Sequence, residues 1–202
     1  MTLLDGTRLA VLDTETTGLD PDRGHGLVEV ACVTLEGGDI AETWSTLVNP
    51  GRAIPPDAAA VHGITDAMVR SAPGPDVVAV EVRRRCADRP LVFHHAAFDL
   101  PFLADLMRKA GQPPLLGPVV DTLGLARGLF EQGGNSLGAL ASRLGLPAEP
   151  AHRALGDALT TARLLQVLAP RWEAERGVRT LAELAAASQD VLRLTARRPR
   201  SG

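Results

Sequence analysis

The 202-residue chain contains no tyrosine, and its phenylalanines and tryptophans together amount to only 3% of it. So small an aromatic set leaves little for extensive base stacking and argues against a reader of particular base sequences. Cysteine is equally scarce. Cys32 lies in an apolar run, Cys86 follows Arg83, Arg84 and Arg85, and there is neither a CxxC pair nor a matching histidine cluster. A structural zinc site of ordinary spacing and a disulfide framework are thereby excluded, and two reduced thiols in a cytoplasmic protein are expected. No run of about 18 apolar residues occurs, and Met1 to Gly6 carries no basic segment before an apolar stretch, so neither export nor a membrane span is expected. A basic excess is missing too. With 21 Lys and Arg against 24 Asp and Glu, the formal charge is −3, so any contact with a polyanion must rest on local arginines or on bound metal.

What is present is 45% hydrophobic and 22% charged, the balance of one globular domain with a short appendage. The front third reads as β-structure: strands over Leu9 to Thr14, Leu27 to Leu35 and roughly Ala41 to Val48, with Gly37-Gly38 turning between the last two. Pro50 and Pro55-Pro56 then interrupt regular structure. Asp76 to Asp88 has local strand character in its valines, but Pro75 at a first turn predicts a helix. Leu91 to Phe93 is a short buried strand. Phe98, Phe102, Leu103, Leu106 and Met107 recur at helical spacing up to Gly111, with Pro101 fitting only the first turn. A last strand over Val119 to Thr122 precedes helices near Leu123 to Phe130, Ser136 to Leu144 and Arg153 to Leu168. Thr180-Leu181-Ala182-Glu183 has the form of a capping box and starts another helix.

The chemistry is carried by acids. In Leu9-Ala10-Val11-Leu12-Asp13-Thr14-Glu15 the period of two sends Asp13 and Glu15 to one face where a buried strand reaches solvent. Two ionised carboxylates so placed repel each other and must take up a proton or be bridged by a cation, with hard ions such as magnesium or manganese preferred. Asp99 follows the strand at Phe93 and begins a helix, where an acid also serves as a cap. His152 and Asp157 are five apart, about 140° on a regular helix. Both can face one site only if Asp157 is helical and His152 sits on the preceding loop, which Pro147 and Pro150 favour.

Asp13, Glu15, Asp99, His152 and Asp157, in this order and context, resemble the DEDDh branch of the DnaQ-like 3′–5′ exonucleases, over about residues 8 to 168. The resemblance extends to Val61-His62-Gly63-Ile64-Thr65, to Asp121-Thr122-Leu123 and to Asn135-Ser136-Leu137 with Leu140. The Asp13-to-Gly18 segment is most similar to the epsilon subunit of bacterial DNA polymerase III and its stand-alone relatives. The resemblance implies an α/β, RNase H-like fold, a mixed five-stranded sheet flanked by helices. With it, a catalytic domain over residues 1–170 is expected, and the capping box and terminal arginines read as a helical extension with a basic tail over 171–202. The resemblance also implies two divalent metal ions, Mg or Mn, held by Asp13, Glu15 and Asp157, with Asp13 bridging both and Asp99 acting directly or through a coordinated water. His152 would be the general base, a role suited to a group titrating near neutrality. Glu15, Thr16, Asp57 and His62 would contact the terminal nucleotide, although Asp57 equally suits a helix cap and His62 a turn. Where the family commonly has Asn this chain has His95, either a substitution in the same structural role or a residue that adds a contact to the nucleic-acid backbone.

The implied activity is hydrolysis of DNA 3′ ends to 5′-mononucleotides in proofreading or repair. The alternatives are trimming of RNA 3′ ends and a polymerase-associated docking subunit. The implied partner is a nucleic acid with a 3′ end, DNA ahead of RNA, with DNA polymerase and the sliding clamp as further candidates and no membrane. Gln189 to Leu194 loosely resembles a clamp-binding peptide but also suits an amphipathic helix end. Arg197, Arg198 and Arg200 beside Pro199 read as a basic tail able to hold nucleic acid weakly.

Overall fold

Leu9, Ala10, Val11 and Leu12 are all buried, which a strand achieves only when both of its faces are covered, and this places β1 (Arg8–Thr16) at the centre of the sheet. The computed structural model describes residues 2–130 and 132–196. β2 (Leu27–Glu36) and β3 (Asp39–Leu47) follow β1 as an antiparallel meander, and β4 (Leu91–Phe93) and β5 (Val119–Asp121) add to the other side in parallel, giving the order β3-β2-β1-β4-β5. The helices are α1 (Pro56–His62), α2 (Asp66–Val69), α3 (Pro75–Cys86), α4 (Ala96–Lys109), α5 (Thr122–Leu129), α6 (Leu137–Leu144), α7 (Ala154–Arg176) and α8 (Leu181–Ala196). This is the mixed five-stranded, helix-flanked architecture that the resemblance implied.

The alternation along β1 divides the core in two. Leu9 and Val11 join Leu164, Leu165 and Leu168 of α7 on one face, while Ala10 and Leu12 join Val78 and Val82 of α3 and Phe102, Leu103 and Leu106 of α4 on the other. By the same period Asp13 and Glu15 belong to the α7 side and Thr14 to the α4 side.

α1 and α2 were not among the expected helices, and two of the expected ones differ in extent. α4 begins at Ala96 rather than near Phe98, so Pro101 falls beyond the first turn. The early start comes from Asp121, a fully buried carboxylate that accepts the backbone N–H groups of His95 (3.0 Å), Ala96 (2.8 Å) and Leu123 (2.9 Å), capping α4 and α5 together. α7 continues eight residues beyond Leu168, through Pro170, to Arg176. Pro170 forfeits one helical hydrogen bond, but the following turn buries Trp172, whose indole N–H donates to the Leu125 carbonyl at 3.0 Å.

α8 packs on α5 and β5. A Cβ at Gly124 would come within 2.1 Å of the Ser188 carbonyl, so only glycine permits that approach. Gln189 donates to the Val119 carbonyl at 3.5 Å and Val191 packs on the core, so the segment resembling a clamp peptide is part of this helix. The arginines of the expected basic tail lie outside the described residues. Among the described residues no helix is long and apolar enough to cross a membrane.

Candidate active site

Glu15 stands opposite Glu29 on β2, and the register shifts between Glu15 and Thr16, a bulge where the strand leaves the sheet. Asp157 arrives from the first turn of α7. That turn sits directly on the preceding loop: a Cβ at Gly156 would come within 2.0 Å of the Pro150 carbonyl, so a glycine is required. One carboxylate oxygen from each of Asp13, Glu15 and Asp157 lies within 4.8 Å of the others, the single such group of three or more among the described residues.

The electrostatics follow from this crowding. Burial pushes Asp13 well above the ordinary carboxylate range, and the charges of Asp99, Asp157, Glu15 and Glu29 add to it. Burial, with Asp157 and Glu29 beside it, raises Glu15 to about 8 against the opposing guanidinium of Arg153. Asp157 is raised by burial as well, although the His152 backbone N–H donates to its Oδ2 at 3.1 Å. Three half-buried carboxylates with depressed acidity form an oxygen-only donor set, and such a set fits a hard divalent cation.

Asp99 reaches the site by a different route. It is 4% exposed on α4, across the sheet from α7, and accepts the Thr14 hydroxyl at 2.7 Å. It stays outside the three-carboxylate group but bears on Asp13 electrostatically, and its own burial raises it to about 7 against the Thr14 hydrogen bonds. Asp99 therefore wraps around the end of β1, held by the residue between the two acids of that strand.

His152 precedes α7 in a left-handed backbone conformation (φ 56°), exposed, while Asp157 is helical. His152, Asp13 and Asp157 line one groove together with His95, Arg127, Asn135, Ser136 and Leu192. His95 caps α4 with φ 74° and ψ 56°, a conformation that Asn and His enter more readily than most residues, so the departure at this position retains the backbone geometry. His94 spans from Thr122 Oγ1 (2.9 Å) to the Asn135 carbonyl (3.0 Å) and is lowered to about 4 by burial, so a neutral imidazole ties the end of β4 to the loop before α6.

On the other side of Glu15 lies a second cleft of about 580 Å³, lined by Glu15, Thr16, Asp57 and His62 with Leu19, Val61 and Phe98. Asp57 is exposed in the first turn of α1. His62 is 5% exposed; its Nδ1 accepts the Ile64 N–H at 3.0 Å, so Nε2 carries the proton, and that buried N–H has no hydrogen-bond partner of normal geometry among the described residues. Burial lowers its pKa and keeps it neutral.

Glu29 and Arg153 were not singled out by the sequence. Glu29 is 4% exposed and takes a two-pronged ion pair from Arg153 (Nε to Oε2 3.1 Å, Nη2 to Oε1 2.7 Å) and the Ala154 N–H at 2.9 Å. The pair fastens the start of α7 to β2 and so sets where His152 and Asp157 stand. A glutamate in an otherwise apolar strand, and an arginine next to the site histidine, were the available signals.

Residues 10–165 match the exonuclease family RNase_T, and the chain belongs to that family. Particular relatives follow from the same residues. The DNA polymerase III subunit epsilon-like protein of Rhodobacter capsulatus is 42% identical over 184 residues, which cover 89% of this chain and 26% of that protein. The DNA polymerase III PolC-type of Streptococcus sanguinis is 35% identical over 185 residues, 91% of this chain and 12% of that protein. The chain thus spans about a quarter or less of the length of these relatives. Among solved structures, exonuclease X in complex with 5′ overhanging duplex DNA is 32% identical with a TM-score of 0.72, covering 89% of this chain and 99% of that one. Exonuclease I superposes with a TM-score of 0.74 at 17% identity, over 84% of this chain and 43% of that one, a likeness of fold.

Proposed function

We propose that this protein is a metal-dependent 3′–5′ exonuclease that hydrolyses phosphodiester bonds at DNA 3′ ends and releases 5′-mononucleotides. The observation that carries the reading is the meeting of Asp13, Glu15 and Asp157 at the boundary between two clefts, one holding His152 and the other closed around His62. A site that cuts at an end needs this division: one compartment that terminates the chain and one that reacts. The names of the relatives, polymerase III subunits and a nuclease bound to duplex DNA, favour DNA over RNA.

Asp13, Glu15 and Asp157 hold two divalent ions, Mg or Mn, with Asp99 supporting Asp13 from the other face of the sheet. When bound, such ions neutralise the carboxylates and the phosphate and lower the pKa of water. His152, on its loop, accepts the proton of the attacking water; its backbone is left-handed rather than helical, and it lines the groove with Asp13 and Asp157. Glu15 and Thr16 contact the terminal sugar. The His62 Nε2–H, which has no hydrogen-bond partner of normal geometry among the described residues and only the Thr16 backbone near it, gains one by donating to the terminal nucleotide. Leu19 and Val61, 85% and 58% exposed, grip the terminal base with apolar contact that is blind to its identity.

The test is incubation of matched 5′-labelled DNA and RNA strands with Mg²⁺ or Mn²⁺. Stepwise shortening is expected, faster on DNA, abolished by chelator and reduced on the order of 10³-fold or more in Asp13→Ala. Endonucleolytic fragments or full activity in Asp13→Ala would reject the mechanism. Association with a polymerase is the further reading that the names of the relatives suggest, and association with a sliding clamp the one that Gln189 to Leu194 suggests; a pull-down with each tests it. Clamp binding through Gln189 to Leu194 would first require that segment to leave α8.

A further inference from the structure

The loop between β1 and β2, residues 17–26, forms part of the terminal-nucleotide cleft and carries an imidazole that the reaction does not use. Gly18, Leu19 and His25 all line that cleft. The loop is closed at its base: the Thr17 N–H donates to the Gly26 carbonyl at 2.9 Å, and the Gly26 N–H donates back to Thr17 Oγ1 at 3.0 Å. Its far end is tied as well, where Asp20 accepts the Asp22 N–H at 2.9 Å and Arg52 donates to the Gly24 carbonyl. Between these ties Leu19 stands 85% exposed on a corner that begins at Gly18.

Glycine is the residue least able to hold such a corner by itself, because it enters more backbone conformations than any other. The support comes from His25. A Cβ at Gly18 would lie 2.4 Å from Cε1 and Nδ1 of the His25 ring and 2.6 Å from its Cγ, so the imidazole fills the space in which a side chain at position 18 would stand. Its Nδ1 is 3.2 Å from Thr17 Oγ1, a contact that serves as a hydrogen bond in either tautomer because a hydroxyl both donates and accepts. Thr17 is itself buried, so the ring is anchored on a fixed part of the structure. We propose that His25 is a positioning residue of the terminal-nucleotide cleft: its ring, pressed against Gly18 and anchored on Thr17, holds the corner that presents Leu19 to the terminal base. This rests on the exonuclease reading of the site. A wall ordered in advance loses less entropy when the nucleotide arrives, so the benefit falls on affinity rather than on turnover.

The experiment is a double-mutant cycle in the full chain, comparing wild type, Leu19→Ala, His25→Ala and the double variant, with His25→Phe returning the ring and His25→Asn returning only a polar group. Steady-state kinetics on a 5′-labelled oligothymidylate in Mn²⁺ give KM and kcat, and calorimetry with thymidine 5′-monophosphate in Ca²⁺ gives affinity without hydrolysis. His25→Ala should raise KM and weaken thymidine 5′-monophosphate binding about tenfold each, with kcat nearly unchanged. The double variant should be no weaker than Leu19→Ala alone, because the ring acts through that side chain. His25→Phe should lie near wild type and His25→Asn near His25→Ala. Losses that add in the double variant, a fall in kcat at constant KM, or the reverse ranking of His25→Phe and His25→Asn would overturn the assignment, and the ranking is legible even where His25→Ala does not fold. If thymidine 5′-monophosphate binding follows the expected pattern but no strand is shortened, His25 keeps its role and the exonuclease reading falls. If His25→Ala and His25→Asn shorten strands with the wild-type KM, the exonuclease reading stands and the positioning role falls.

Discussion

The two clefts that meet at Glu15 differ in where their polar groups lie. In the groove of Asp13 and Asp157 three imidazoles, Asn135, Ser136 and Arg127 stand among leucines, whereas in the cleft of Thr16 and His62 the apolar side chains of Leu19, Val61 and Phe98 face Asp57, His25 and Arg23. The difference separates the two tasks of an end-cutting nuclease. Polar side chains with shifted acidity belong where charge develops, and apolar walls with a single buried donor belong where a group of variable identity must be held. Changes in the first compartment should act on turnover, and changes in the second on affinity.

The largest expected effect is in the polar groove. His152→Ala should lower kcat by about 100- to 10,000-fold with little change in KM, measured by steady-state kinetics on a labelled strand. A loss confined to KM would erase the distinction. Next is the support beneath the groove: Arg153→Ala should weaken Mn²⁺ binding by about 10- to 100-fold, read by calorimetry, with partial rescue by Arg153→Lys, because Glu29 loses the partner that fastens α7 to β2. Unaltered ion affinity would show that Asp157 needs no such anchor. In the apolar cleft, Leu19→Ala should raise KM about tenfold and leave kcat nearly unchanged.

The most gradual effect is on stability. Glu15 is raised from 4.5 to about 8 and Asp99 from 3.8 to about 7, so without divalent ions their contribution to stability is complete below the unfolded values and is lost as pH rises through the folded ones. Thermal unfolding of the ion-free protein should therefore move to lower temperature across this window, and Mg²⁺ or Mn²⁺ should restore most at its upper end, where the carboxylates are ionised. A flat profile would show that the acids are not crowded as the geometry requires.

Much of this was legible in order along the chain. The three strands of the meander, the helix after Pro75 and the short strand at Leu91 were readable because period and turn residues are local properties. α4 and α7 exceeded expectation at the ends where distant groups, Asp121 and Leu125, supply the stabilising partner.

For the site, amino-acid order by itself determined that Asp13 and Glu15 share a face and that His152 must stand off the helix carrying Asp157, since both follow from the fixed periods of strand and helix. Only the tertiary structure decided that Asp99 comes from across the sheet through Thr14, that Glu29 and Arg153 lock α7 onto β2, and that Asp121 caps two helices at once. Those partners are 25 to 124 residues apart except at Leu123, and their meeting depends on which strands become neighbours, a choice made by burying both faces of β1 rather than by any local pattern.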